Sequence, residues 1–192
     1  MKIDNVQVYG LEESIRASKY PKSTDVYSCN SDVTPTVCSL GSAKRGSGHD
    51  CFLKGIIVQF DLTISEKAWV QAERYHWFDI VSSQSTMHRI TSFAIKDQCN
   101  RYVDPRCIEV LQEKVDAYNA DKSTENFLHV IYNIPSGFEL TARITTNYLQ
   151  LKTILGQREY HMLPDWNELI CPWIHTLPRF DEFVLGRKVA AT

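Results

Sequence analysis

Two stretches of the chain alternate strictly between apolar and polar positions. Ile56, Val58, Phe60 and Leu62 share one side of the run Gly55 to Leu62, and Phe138 to Thr145 (FELTARIT) alternates as cleanly. A period of two predicts half-buried strands. Val6 to Tyr9 predicts a shorter strand, closed by Gly10. The following LEESIRASKY then suits a helix with Leu11 and Ile15 on one face.

Elsewhere the period lengthens toward that of a helix. Thr63 and Glu66 have capping-box spacing, which places a helix start near Ser65. Trp69, Ala72, His76 and Ile80 fall on one stripe of it. Asp104 followed by Pro105 predicts a second start, with Ile108, Leu111, Val115 and Tyr118 as the apolar face. Ser123 caps a helix carrying Phe127, Val130 and Ile131, which ends before Pro135. Leu151, Ile154 and Leu155 predict a helix from about Thr146 to Arg158. After Leu163-Pro164, Asp165 is expected to cap a last helix with Leu169, Ile170 and Trp173, split by Pro172. Pro21 to Gly48 is irregular and polar, with a basic glycine turn at its end. The pattern predicts an α+β fold with strands separated by helices. One domain is expected over 1–185, with a loose tail at 186–192.

Composition narrows the classes. A chain of 192 residues with 43% hydrophobic content supports one sizeable core. The net charge of −2 gives no global basic field for nucleic acid. No apolar run reaches membrane-spanning length, and the start MKIDNVQVYG lacks a signal-peptide core. A cytoplasmic protein is expected. The six cysteines form no CxxC pair, so no metal site is expected and free thiols are the default. Cys29 and Cys38 flank a polar loop and would pair only in an oxidising compartment.

The densest chemistry lies between Trp69 and Arg89, WVQAERYHWFDIVSSQSTMHR. Its first half reads as a helix and its second as a basic loop rich in hydroxyls. That combination fits an anionic, aromatic ligand such as a nucleotide.

The order of the pieces resembles the flavin-dependent thymidylate synthase (ThyX) family. His49 precedes the strand Ile56 to Leu62, and a helix with Gln71 and Arg74-Tyr75-His76 follows. Ile134-Pro135 stands where the family has Leu-Pro, and Asn147 and Arg158 open and close the later helix. The intervals His49 to Arg74, Pro135 to Asn147 and Asn147 to Arg158 need no gaps. The signature departs from the family's Arg-His-Arg-x7-Ser: the triplet reads Arg-Tyr-His, and Gln84 takes the serine position, between Ser83 and Ser85. The acid and arginine flanking that serine fall on Ser82 and Thr86.

The resemblance implies a ThyX-like fold, a mixed sheet with flanking helices. It also implies a homotetramer binding FAD, a folate and a nicotinamide, and one-carbon transfer from methylenetetrahydrofolate to a pyrimidine deoxynucleotide such as dUMP. Residue by residue, it assigns catalysis to Arg158, Gln84 and Ser85, and cofactor binding to His49, Arg74, Tyr75, His76 and Asn147. Substrate binding falls to Gln71, Ser82, Ser83, Thr86 and Arg89. Each has a plainer role open to it. Arg74 can pair with Asp79, His76 and Tyr75 can pack, and the serines can form a polar turn. Asn147 can start its helix, and Arg158 can sit at a helix C-terminus for the dipole. The alternatives are the same scaffold with another nucleotide substrate, such as a hydroxymethylase, or a non-catalytic nucleotide-binding oligomer.

Overall fold

The structure is a computed structural model that describes residues 1–186. Four strands form one sheet: β1 (Lys2–Tyr9), β2 (Ile57–Ser65), β3 (Phe78–Ser83) and β4 (Glu139–Asn147). Their order is β1-β2-β4-β3. Every pairing is antiparallel, so the expected mixed sheet is corrected to a uniform one. The reason is positional. β4 inserts between β2 and β3 and runs against both, so those two share a direction without ever pairing.

Alternation gives the sheet two unlike faces. Val58, Phe60, Leu62 and Ile64 of β2, with Ala142 and Ile144 of β4, are buried in the main core. The other face carries cross-strand polar pairs: Gln59 with Thr145 at 2.8 Å, Thr63 with Thr141 at 2.8 Å, and Arg143 with Asp61 at 3.1 Å. Such pairs stabilise register by some tenths of a kcal/mol each, on the order of 0.2–1.

The helices are α1 (Leu11–Ala17), α2 (Pro35–Gly41), α3 (Glu66–Ala72), α4 (Thr86–Arg89), α5 (Ile95–Gln98), α6 (Pro105–Ala120), α7 (Thr124–Ile131), α8 (Tyr148–Arg158), α9 (Cys171–Ile174) and α10 (Phe180–Val184). A π-helical turn, Asp165–Ile170, precedes α9. Ala68, Trp69 and Ala72 of α3 and Leu151, Ile154 and Leu155 of α8 join the main core. α6 and α7 cover a second cluster around Leu111, Val115, Val130 and Phe138, and Leu140 packs against both clusters. No helix among the described residues is long and apolar enough to cross a membrane.

Several starts follow the sequence signals. Asp104 accepts the Arg106 N–H ahead of α6, Ser123 caps α7, and Asn147 accepts the Gln150 N–H of α8. Gly10 takes a left-handed φ of 70° between β1 and α1, and a Cβ there would lie 2.6 Å from the Gly55 carbonyl oxygen.

Four expectations are corrected. Thr63 does not cap α3, because its hydroxyl is held by Thr141; Ser65 accepts the Ala68 N–H instead. Asp165 does not cap a helix either. It is buried, and its carboxylate accepts the Ser65 N–H at 2.9 Å, tying the turn before α9 to the end of β2. The helix beginning at Glu66 stops at Ala72, so His76 and Ile80 leave its stripe; Phe78–Ser83 extends as β3 because β4 offers it a ladder. Within the irregular segment, Thr34 caps α2 and Pro35 occupies its first turn. The expected loose tail, 186–192, lies outside the described residues apart from Gly186.

Candidate functional site

α8 carries its apolar side chains at Leu151, Ile154 and Leu155, and Arg158 continues the same stripe by the i, i+3 and i, i+4 rule. The spacing therefore brings a guanidinium to the rim of the core. There it meets the end of α3, the turn into β3 and the π-helical turn. Arg158 Nε donates to the Tyr75 hydroxyl at 2.8 Å, and Nη1 donates to Gln71 Oε1 at 3.1 Å. Gln71 Oε1 also accepts the Trp166 indole N–H at 3.0 Å, and the Tyr75 hydroxyl donates to Gln157 Oε1 at 3.1 Å. The guanidinium carbon lies 5.2 Å from the Trp166 ring centroid and 5.8 Å from that of Tyr75. Those two rings meet edge to face at 5.9 Å.

The electrostatics of this cluster are one-sided. Arg158 is held by neutral oxygens and aromatic faces, and it forms no ion pair among the described residues. A guanidinium so placed keeps its charge and spare N–H donors for a carboxylate, phosphate or oxyanion. His161 adds to this. Its Nδ1 accepts the Leu163 N–H at 3.1 Å, which requires an unprotonated nitrogen there. Burial, and then the nearby Arg158 charge, push its pKa below the ordinary value.

A second feature stands apart from this cluster. A cavity of about 930 Å³ opens between α1, α2 and the loop ahead of β2. Lys19, Lys22 and His49 line it, with the hydroxyls of Ser18, Ser23, Thr34 and Thr36 and an apolar floor of Val37, Leu40 and Phe52. No carboxylate stands among its described lining residues. Its loop is fastened to α8. Lys152 Nζ donates to the carbonyls of Gly41 (2.8 Å) and Ala43 (2.6 Å) and to Asp50 Oδ2 (2.8 Å), and Arg45 Nε donates to Thr153 Oγ1 at 3.0 Å.

The structure thus brings Gln71, Tyr75 and Arg158 together and places His49 in the cavity. Arg74 is exposed and pairs with no acid among the described residues, Asp79 included. His76 is exposed, edge to face with Trp77 at 4.7 Å, beside a pocket of about 290 Å³ that Glu73 and Asp79 also line. The oxygen of Asn147 is taken by its helix cap. The expected hydroxyl-rich loop is largely a strand, which separates its members. Ser82 stands opposite Arg143 and Ser83 opposite Ala142, with a bulge at Val81. Gln84 extends the ladder in both directions: its N–H donates to the Thr141 carbonyl, and its Oε1 accepts the Thr141 N–H, each at 2.9 Å. Ser85 precedes α4 without a side-chain capping bond, and Thr86 and Arg89 lie on α4. No hydrogen bond given by the described residues links these positions to Arg158.

Trp166, Gln157, Lys19, Lys22 and the Lys152–Asp50 pair carry no sequence signal of their own. Of these, Trp166 alone lies in a run, His161 to Trp166 (HMLPDW), that reads equally as a ligand-side turn or as a capped helix start.

The fold has solved counterparts. A flavin-dependent thymidylate synthase, ThyX from Helicobacter pylori, complexed with FAD and dUMP, matches with a TM-score of 0.76 at 13% identity, over 96% of this chain and 97% of that one. A second Helicobacter pylori ThyX structure with FAD and dUMP gives 0.76 at 14% identity, over 96% of each chain. A UMP/dUMP methylase, PolB from Streptomyces cacaoi, bound with 5-Br dUMP, gives 0.62 at 9% identity over 95% and 92%. The chain has the ThyX-like fold. No family model matches the sequence, and no curated protein matches it.

Proposed function

We propose that this protein is a flavin-dependent methyltransferase acting on a pyrimidine deoxynucleotide such as dUMP. The observation that carries the reading is Arg158: a charged guanidinium fixed by Gln71 and Tyr75, faced by Trp166, with no acid paired to it among the described residues. Such a group suits the phosphate or the uracil oxygen of a nucleotide, where charge-assisted hydrogen bonds are worth about 1.5–3 kcal/mol each. The fold's counterparts from Helicobacter pylori, solved with FAD and dUMP, support the same class.

The residues present fit FAD. The cavity of about 930 Å³ is within the range for cofactor sites, roughly 300–1,000 Å³. Lys19, Lys22 and His49 would hold its phosphates, and Val37, Leu40 and Phe52 would cover its apolar parts. When bound, FAD supplies the reducing equivalents, ultimately from a nicotinamide, and methylenetetrahydrofolate supplies the carbon. The uracil carbon that accepts the methyl group releases its hydrogen as a proton. The chain's own part is to bind and orient, with Arg158 as the fixed cation. The reading extends to one ThyX-like domain over 1–185, a homotetramer and a cytoplasmic setting.

Titration of the purified protein with FAD tests this. Visible absorbance should report saturable binding, and dUMP should perturb the bound flavin's spectrum. Arg158→Ala should keep FAD and lose the dUMP response. Failure to bind FAD would overturn the flavin reading, and an unchanged dUMP response in Arg158→Ala would remove Arg158 from the nucleotide site. The Gln84 ladder bonds, at the signature's serine position, favour a second reading, a nucleotide-binding protein without turnover.

A further inference from the structure

We infer that Tyr75 is the positioning residue for Arg158, an inference that rests on the proposed nucleotide site. Its hydroxyl sits between two partners, accepting the Arg158 Nε–H at 2.8 Å and donating to Gln157 Oε1 at 3.1 Å. Those two bonds use both roles of the hydroxyl and fix its direction. The ring is buried and meets Trp166 edge to face at 5.9 Å, so the hydroxyl is presented from a fixed frame. Gln71 plays the matching part on the other side, where one amide oxygen accepts both the Trp166 indole and Arg158 Nη1.

The consequence is geometric. With Nε held by Tyr75 and Nη1 by Gln71, the guanidinium plane has two anchors and its torsion is set. Nη2, and the second hydrogen of Nη1, are the donors left without a partner among the described residues. A bidentate acceptor engages them without first ordering the side chain, whose free rotamers would otherwise cost binding energy. A tyrosine also performs this task with no charge. A protonated histidine at position 75 would set a second cation against the guanidinium and has no hydroxyl to accept Nε–H.

The test is a double-mutant cycle read by dUMP affinity of the FAD-loaded protein. Tyr75→Phe keeps the ring and removes the hydroxyl. It should weaken dUMP about tenfold, equivalent to about 1.4 kcal/mol, while FAD binding and the melting temperature change little. Arg158→Ala should weaken dUMP more, and adding Tyr75→Phe to it should cost nothing further. A lowered melting temperature with unchanged dUMP affinity in Tyr75→Phe would make the hydroxyl merely structural and overturn the inference. So would full additivity in the double variant. If Tyr75→Phe alone is silent while Arg158→Ala is not, the positioning role fails and the nucleotide site stands. If both are silent, the nucleotide site itself fails.

Discussion

Lys152 is the residue whose loss should be felt most widely. Its ammonium and the Asp50 carboxylate are both withdrawn from water, with side chains 11% and 1% exposed. All three donors of the ammonium are used, on Asp50 Oδ2 and the carbonyls of Gly41 and Ala43. Lys152→Met keeps the aliphatic stem but leaves a buried carboxylate without its cation. Breaking such a pair from one side costs about 3–5 kcal/mol. For a chain of this length each kcal/mol lowers the melting temperature by about 2–4 °C, so a fall of about 6–20 °C is expected. The damage should reach the cation-lined cavity, because the tethered loop carries Gly48 and His49 at its wall. The double variant Lys152→Met with Asp50→Asn removes the stranded charge and should melt above Lys152→Met alone. Differential scanning calorimetry with and without FAD reads both effects. A drop under about 2 °C in Lys152→Met, or strict additivity in the double variant, would refute the buried-pair reasoning.

Two further outcomes follow from local geometry. Gln84→Ala removes the acceptor of the Thr141 N–H on a strand edge and should cost about 1 kcal/mol, seen in thermal melts, while dUMP affinity stays unchanged; a selective loss of dUMP binding would instead give Gln84 a ligand role. His161 has a depressed pKa, from burial first and the Arg158 charge second, so folding favours its neutral ring. Its contribution to stability is therefore complete above the unfolded value of about 6.5 and lost as pH falls through the lowered folded value. An anion bound at Arg158 should move that pKa upward, followed by the imidazole proton shifts in an NMR titration. No movement on adding dUMP would separate His161 from the site.

Much of this fold was legible because its signals are local. Alternation marks β2 and β4, and Asp104, Ser123 and Asn147 each cap the helix that their sequence context announces. β3 was misread because Trp69, Ala72, His76 and Ile80 fit a helical stripe by chance. What decides the matter is an open ladder on β4, more than 50 residues away along the chain, as the Gln84–Thr141 bond illustrates. The same limit applies to the site. Arg158 and Gln71 could be nominated from spacing, whereas their closure by Tyr75 and Trp166 depends on a π-helical turn whose one clear sequence feature, Asp165, is spent on Ser65. The cation-lined cavity is built from residues 17–52 alone, a stretch that reads as an irregular polar segment because its cations are spaced without a helical or strand period and α2 within it spans only Pro35–Gly41.

Release of tritium from dUMP labelled at the uracil carbon that takes the methyl group is the most direct measurement. It is made with FAD, a reduced nicotinamide and methylenetetrahydrofolate present. Release should depend on FAD and be lost in Arg158→Ala. Absence of release from a protein that is saturated with FAD and dUMP would contradict methyl transfer to dUMP.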